Sequence, residues 1–157
     1  MTAQTHVPSL AARLGTVCAL TLAVTGATSL APGGPLEANA AAVAARALHV
    51  AASKKGSPYQ YGASGPSRFD CSGLTLYSFK EAGRRLPRSA QQQYNSSRHV
   101  SASTRKAGDL VFFHSGTRVY HVGIYAGKDR IWHSPKTGTV VRLERIWSNS
   151  VWYGRVG

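Results

Sequence analysis

Cys71, His121 and His133 are the residues of this 157-residue chain whose types and spacing could make and break a covalent bond. The chain has two cysteines, and the other, Cys18, falls in an N-terminal stretch that reads as a removable export signal. What remains is one thiol. It has no internal disulfide partner, and an exported protein gains little from it unless it reacts. Cys71 sits in Phe69-Asp70-Cys71-Ser72-Gly73, at the mouth of a predicted helix. A thiol attacks as its thiolate, and unpaired amides at a helix start together with a neighbouring imidazolium favour that form, giving a thiolate–imidazolium pair. Asp70 opposes it by charge, so its carboxylate must point at capping amides or at a cationic group on the substrate. His121 and His133 flank a turn at Gly127-Lys128-Asp129. A hairpin there sets them opposite or one step off, and they share a face if the register permits. His121 then serves as the base and His133 fixes its tautomer, as in a nucleophile–base–orienter triad. The same side chains could hold zinc with water in the fourth position. They lack a closely spaced chelating pair, so metal chemistry is the weaker reading and no cofactor is expected. His6, His49, His99 and His114 have no comparable setting.

The elements that hold these groups follow from periodicity. Ala41 to Lys55 is alanine-rich and places Val43, Ala47, Leu48 and Ala51 on one helical face, stopped by Gly56 and Pro58. Residues 57–68 are a loop. A second helix starts at Cys71 with Asp70 as N-cap, is apolar on most sides through Leu74, Tyr77 and Phe79, and ends at Gly83. Ser89-Ala90-Gln91-Gln92 is a capping box that opens a short third helix. Past residue 100 the pattern turns to strands. Leu110 to Phe113 is one. Val119 to Ala126 is another, with Val122, Ile124 and Ala126 on one face and His121, Gly123 and Tyr125 on the other. Arg130 to His133, Thr139 to Leu143 and Val151 to Val156 complete the set. Helices first and strands after predict an α+β domain with an antiparallel sheet and a central, buried helix that carries the thiol.

Residues 1–40 differ from the rest. Their only charged side chains are Arg13 and Glu37; Leu14 to Leu30 is apolar or small; Ala38-Asn39-Ala40 has the small-x-small form of a signal-peptidase site. Cleavage is expected after Ala40, leaving 41–157 as the domain. The apolar run is short and glycine-diluted for a spanning helix, so no stable membrane insertion is expected after cleavage. The formal net charge of +13 attracts anionic partners such as cell-wall polymers. The basic residues are scattered and not interleaved with aromatics, so no specific nucleic-acid binding is expected.

With those residues in view, the chain resembles the NlpC-type cysteine peptidases of bacterial cell walls, from about Ala41 to the C-terminus. Four stretches carry the likeness: Gly56 to Gly62, Phe69-Asp70-Cys71-Ser72-Gly73-Leu74, Ala107 to Phe113, and His121-Val122-Gly123-Ile124-Tyr125 followed by Ile131-Trp132-His133. The resemblance implies a papain-like fold. It also implies a secreted, monomeric endopeptidase that hydrolyses peptidoglycan stem peptides, between D-glutamate or D-isoglutamine and the diamino acid. Cys71 would attack, His121 would shuttle the proton and His133 would hold His121. Tyr59 would help bind the oxyanion, and Asp70 and Ser72 would contact substrate, at a stem-peptide amine. Gly62 is followed by Ala63, where the family often has a second glycine. An amidase or acyltransferase on the same scaffold, or a non-catalytic wall-binding module, are the alternatives.

Overall fold

The computed structural model describes residues 1–2 and 34–157. The apolar stretch from Leu14 to Leu30 lies outside the described residues. Three helices, α1 (Pro35–Ser53), α2 (Cys71–Glu81) and α3 (Ala90–Ser96), precede six strands: β1 (Arg98–Val100), β2 (Leu110–Ser115), β3 (Arg118–Gly127), β4 (Arg130–His133), β5 (Arg142–Arg145) and β6 (Val151–Arg155). The strands form one antiparallel sheet in the order β1-β6-β2-β3-β4-β5. This is the α+β, papain-like architecture expected. Among the described residues, no helix is long and apolar enough to cross a membrane.

The sheet has two apolar sides because its strands alternate. Leu110, Phe112, Val122 and Ile124 pack with Ala47 and Ala51 of α1 and Phe79 of α2. Val111, Phe113, Tyr125, Ile131 and Tyr153 form a second cluster that contains no helical residue. The buried part of α1 is alanine, so the helix lies close: a Cβ on Gly108, at the entry to β2, would come within 2.7 Å of the Ala44 backbone. The second helix buries hydroxyls beside its apolar groups. Thr75 donates to the Ser72 carbonyl at 2.9 Å and to Gln93 Oε1 at 2.7 Å. Gln93, fully buried on α3, donates in turn to the Ser72 carbonyl at 3.0 Å. Buried polar groups are tolerated when paired, and this network ties α3 to the first turn of α2.

Four elements differ from the sequence expectation. Helix α1 starts at Pro35 rather than Ala41, because proline suits a first helical turn and Gly34 precedes it in extended form. Strand β1 was not foreseen; three residues, mostly exposed, carry almost no periodicity. Ala126 drops out of the β3 alternation through a bulge between Tyr125 and Gly127. The fifth strand lies at Arg142–Arg145, not Thr139–Leu143: Thr139 belongs to a turn on Lys136, and Val140 bridges to Pro58.

Asp109, just before β2, is 2% exposed and is gripped by Arg155 through two bonds of 2.7 Å, with the Lys106 amide as a third donor. Removing the cation from such a pair leaves an uncompensated buried charge. Arg155→Met is expected to lower stability by about 2–4 kcal/mol, since some exposure softens the usual penalty. Denaturant titration checks this, and pairing the change with Asp109→Asn is expected to restore part of the loss.

Candidate functional site

Asp70 does three jobs at once. As N-cap it accepts the Gly73 amide at 2.7 Å through Oδ1. Through Oδ2 it accepts the Gly62 amide at 2.8 Å, which pins the preceding loop. Its third partner is Arg88, which pairs with both carboxylate oxygens and also donates to Ser72 Oγ at 2.8 Å. The carboxylate beside the thiol is thus aimed at amides and at a cation of the chain itself. Gly73 is required by packing: a Cβ there would sit 2.0 Å from the Ala63 carbonyl oxygen. The same Ala63 carbonyl accepts the Asp70 amide at 2.9 Å. Loop 57–64 is therefore clamped onto the start of α2, and with it Tyr59, whose neighbour Pro58 accepts the Phe69 amide.

The histidines are brought together by register. Lys128 and Asp129 adopt φ of 50° and 52°, as a two-residue hairpin loop of the twist-matched kind requires. With the bulge at Ala126, Ile124 faces Trp132 and His133 falls beside Gly123. A Cβ on Gly123 would meet that of His133 at 3.2 Å, so the glycine lets His133 come in and lean toward His121, two residues along the same face. His121 Nε2 and His133 Nδ1 are 2.9 Å apart. His133 is fully buried and His121 is 6% exposed. The Trp147 ring lies 5.6 Å and 5.3 Å from the two imidazoles and stacks on Phe113 at 4.0 Å, roofing the pair. Ser134, the residue after β4, is fully buried and donates to the Phe69 carbonyl at 2.8 Å. That bond fastens the end of the histidine strand to the thiol motif.

A groove of about 680 Å³ opens between these parts, and Tyr59, Asp70, Cys71, Ser72, Arg88 and His121 all line it. Tyr61 and Tyr120 stand exposed at its rim. His133 lies behind, on a second cavity of about 390 Å³ shared with Arg142, Glu144 and Trp147. Five of the six residues singled out from the sequence, Tyr59, Asp70, Cys71, Ser72 and His121, therefore line one groove, and His133 backs it. Among the described residues, no three His, Cys, Asp or Glu side chains converge as a metal-binding group.

The electrostatics bear on the expected thiolate–imidazolium pair. Burial, followed by the charge of Asp70, pushes the Cys71 thiol up, and the amides of Ser72, Val122 and Cys71 itself only partly oppose this. Burial, followed by the neighbouring His133, pushes His121 down to about 3. His133 is also lowered, by burial against the opposing pull of Glu144. Burial thus disfavours the charged form of both the thiol and the imidazole in the free site. Desolvation outweighs the helix-end amides, because taking a charge out of water is the larger effect. Tyr59 is raised by burial and by the adjacent Cys71 and Asp70, so its hydroxyl stays protonated and able to donate.

Arg88, Gln93, Ser134 and Glu144 were not foreseen. Arg88 sits in a polar loop with no periodicity to mark it. Gln93 and Ser134 are ordinary polar residues until the fold buries them. Glu144 was missed because the fifth strand was placed too early.

The sequence model of the NlpC/P60 family matches residues 56–156. Over 88 residues, 54% of this chain, it is 46% identical to the bifunctional muramidase/DL-endopeptidase CwlT of Bacillus subtilis, covering 27% of that protein. Its fold superposes on the peptidoglycan hydrolase RipB of Mycobacterium tuberculosis with a TM-score of 0.68 and 28% identity, covering 75% of this chain and 66% of that one. It is similar as well to RipD of the same organism, described as a non-catalytic NlpC/p60 domain protein adapted to peptidoglycan binding (TM-score 0.64, 26% identity, 73% of this chain and 97% of that one). The chain belongs to the NlpC/P60 family. It spans between 20% and 51% of the length of the curated relatives it matches first.

The depressed histidines make stability pH-dependent. An unfolded histidine takes up a proton near about 6.5, whereas His121 in the fold resists until about 3. Between those values the unfolded state binds more protons, so stability is full above the upper one and is lost as pH falls toward the lower one. Denaturant midpoints are expected to drop on acidification from pH 7 to pH 4.5, and a folded His121→Asn variant is expected to show a shallower drop.

Proposed function

We propose that this chain is a secreted cysteine endopeptidase. It hydrolyses the bond between D-glutamate (or D-isoglutamine) and the diamino acid in peptidoglycan stem peptides. The observation that carries this reading is His121, hydrogen-bonded to His133 behind it, lining the same groove as Cys71, which sits at a helix start. The family, whose members here include proteins named for DL-endopeptidase and peptidoglycan hydrolase activity, supplies the substrate class.

The reaction runs by general-base attack. His121 Nδ1 takes the thiol proton as sulfur adds to the scissile carbonyl, so the ion pair forms as the bond does. The oxyanion is met by the Tyr59 hydroxyl and the backbone amide of Cys71; preorganised donors of this kind supply much of the barrier lowering in acyl transfer. The imidazolium returns its proton to the leaving amine, and a water, activated by the same ring, hydrolyses the thioester. His133 keeps the His121 ring from turning. Ser72 and Asp70, with Arg88, form the groove wall that contacts the stem peptide. A substrate amine would share Asp70's oxygens with Arg88.

Export is supported by residues 1–40 and by the packing of α1. The buried residues of that helix, Ala47 and Ala51, lie after Ala40, so cleavage there leaves the packed part whole. The basic surface suits retention on anionic wall polymers, and binding to isolated walls is expected to weaken as salt rises, because ions screen exposed charge.

Defined muropeptides, digested and weighed by mass spectrometry, test the activity. Cuts inside the stem are expected, and Cys71→Ser is expected to remain folded and cleave nothing detectable, a loss on the order of 10⁴-fold or more. Release of the whole stem from the sugar would instead indicate an amidase. Binding without any cleavage would indicate a wall-binding module.

A further inference from the structure

We propose that Glu144 is a positioning residue of this site: its carboxylate, at the far end of the histidine pair, sets the direction in which that pair can move a proton. The inference deepens the endopeptidase reading and rests on it for the role of His121.

Three groups form one line. Glu144 Oε2 lies 2.9 Å from His133 Nε2, and His133 Nδ1 lies 2.9 Å from His121 Nε2. A carboxylate can only accept, and a neutral imidazole has one donor and one acceptor nitrogen. Nε2 of His133 therefore carries the hydrogen and donates to Glu144, which leaves Nδ1 of His133 as an acceptor. That acceptor requires the hydrogen of His121 to sit on Nε2. The remaining nitrogen of His121, Nδ1, is then a bare lone pair and can take a proton from sulfur. With the polarity reversed, His121 would hold N–H at Nδ1, and it could not serve as a base toward a neutral thiol.

Nothing in the two rings alone selects between these directions. A His133 with its hydrogen on Nδ1 would bond His121 equally well, so the acid is what breaks the symmetry. Its own orientation is set by Arg142, which donates from Nε to the same Oε2 at 2.9 Å and can never accept. Burial alone would raise the Glu144 carboxyl, but the bonds from Arg142 and His133 hold it below its ordinary value, so it stays ionised. Besides the two histidines and Arg142, the ionisable side chains lining this rear cavity are Lys136 and Tyr120, neither of which supplies a competing carboxylate. Glu144 itself keeps 39% of its side chain exposed, so its charge is partly solvated while the His133 side chain is fully buried.

Two variants separate tautomer from charge. In Glu144→Gln, Arg142 still demands an oxygen at that place, which still accepts from His133 Nε2; only the charge is lost. In Glu144→Leu no acceptor remains and both ring directions become available. Nitrogen-15 spectra of labelled imidazoles read the tautomers without substrate. Wild type and Glu144→Gln are expected to show hydrogen on Nε2 of both rings, and Glu144→Leu a population with hydrogen on Nδ1. Kcat of Glu144→Leu is expected to fall about 10- to 100-fold with KM changed less than about twofold, short of the about 10⁴-fold lost when an acid touching the base directly is neutralised. In Glu144→Gln, which should fold whether or not the leucine variant does, both rings are expected to titrate at lower pH than in wild type. Unchanged tautomers in Glu144→Leu, changed tautomers with wild-type kcat, or no shift of ring titration in Glu144→Gln would each overturn the inference. If wild type cleaves no muropeptide while the spectra behave as expected, the endopeptidase reading fails and the polarity assignment stands.

Discussion

Two largely buried imidazoles that share one hydrogen bond have to agree on which of them donates. Burial forbids the easy solution, a proton on every nitrogen, because a charge there is poorly solvated. The His121–His133 contact is therefore a directed object, and much of this molecule serves to maintain it. The hairpin at Lys128-Asp129 and the bulge at Ala126 fix the register. Gly123 provides the space, Trp147 the roof, and Ser134 the fastening to the thiol motif. A slip of one residue in the hairpin would turn His133 to the other side of the sheet, since strand side chains alternate. The chemistry is thus tied to a turn some distance from it.

The shift of Cys71 and His121 away from their charged forms bears on what the rest of the groove has to do. A preformed thiolate would need the helix end to outweigh both burial and Asp70. Burial and Asp70 instead disfavour the thiolate, and under the proposed mechanism the oxyanion donors and the developing sulfur–carbon bond would offset the cost of an ion pair formed along the reaction path. An acid can stand next to the thiol because its charge is engaged elsewhere. Asp70 is answered by Arg88 and by the Gly73 and Gly62 amides, so much of its charge is spent on holding the loop, the helix and the groove wall in one piece.

The sequence carried the local parts of this site clearly. Asp70-Cys71 reads as a cap and a helix start because capping is decided within four residues, and Ser89 to Gln92 reads as a capping box for the same reason. His121 was placed correctly because β3 is long and alternates. Contacts between distant segments were the illegible part. Arg88 meets Asp70 eighteen residues away, and Ser134 meets Phe69 sixty-five away; neither has a local pattern to announce it. Glu144 was lost to a shift of about three residues in a short edge strand, where turn chemistry at Thr139 and a bridge at Val140 overrode the apolar Val140-Val141 run.

That loss shows how far outward the site's determinants extend. A triad read from the sequence ends at His133, because three residues suffice to name a nucleophile, a base and an orienter. Yet a histidine in the orienting position differs from an acid or an amide there: it is symmetric with respect to donor and acceptor, and orients nothing until something orients it. A pair of histidines therefore calls for a further group of fixed sign, and the side of the sheet away from Cys71 has one, with an arginine that holds its oxygen in place. The edge strand β5, mostly exposed and with little else to pack, is where that sign enters the fold.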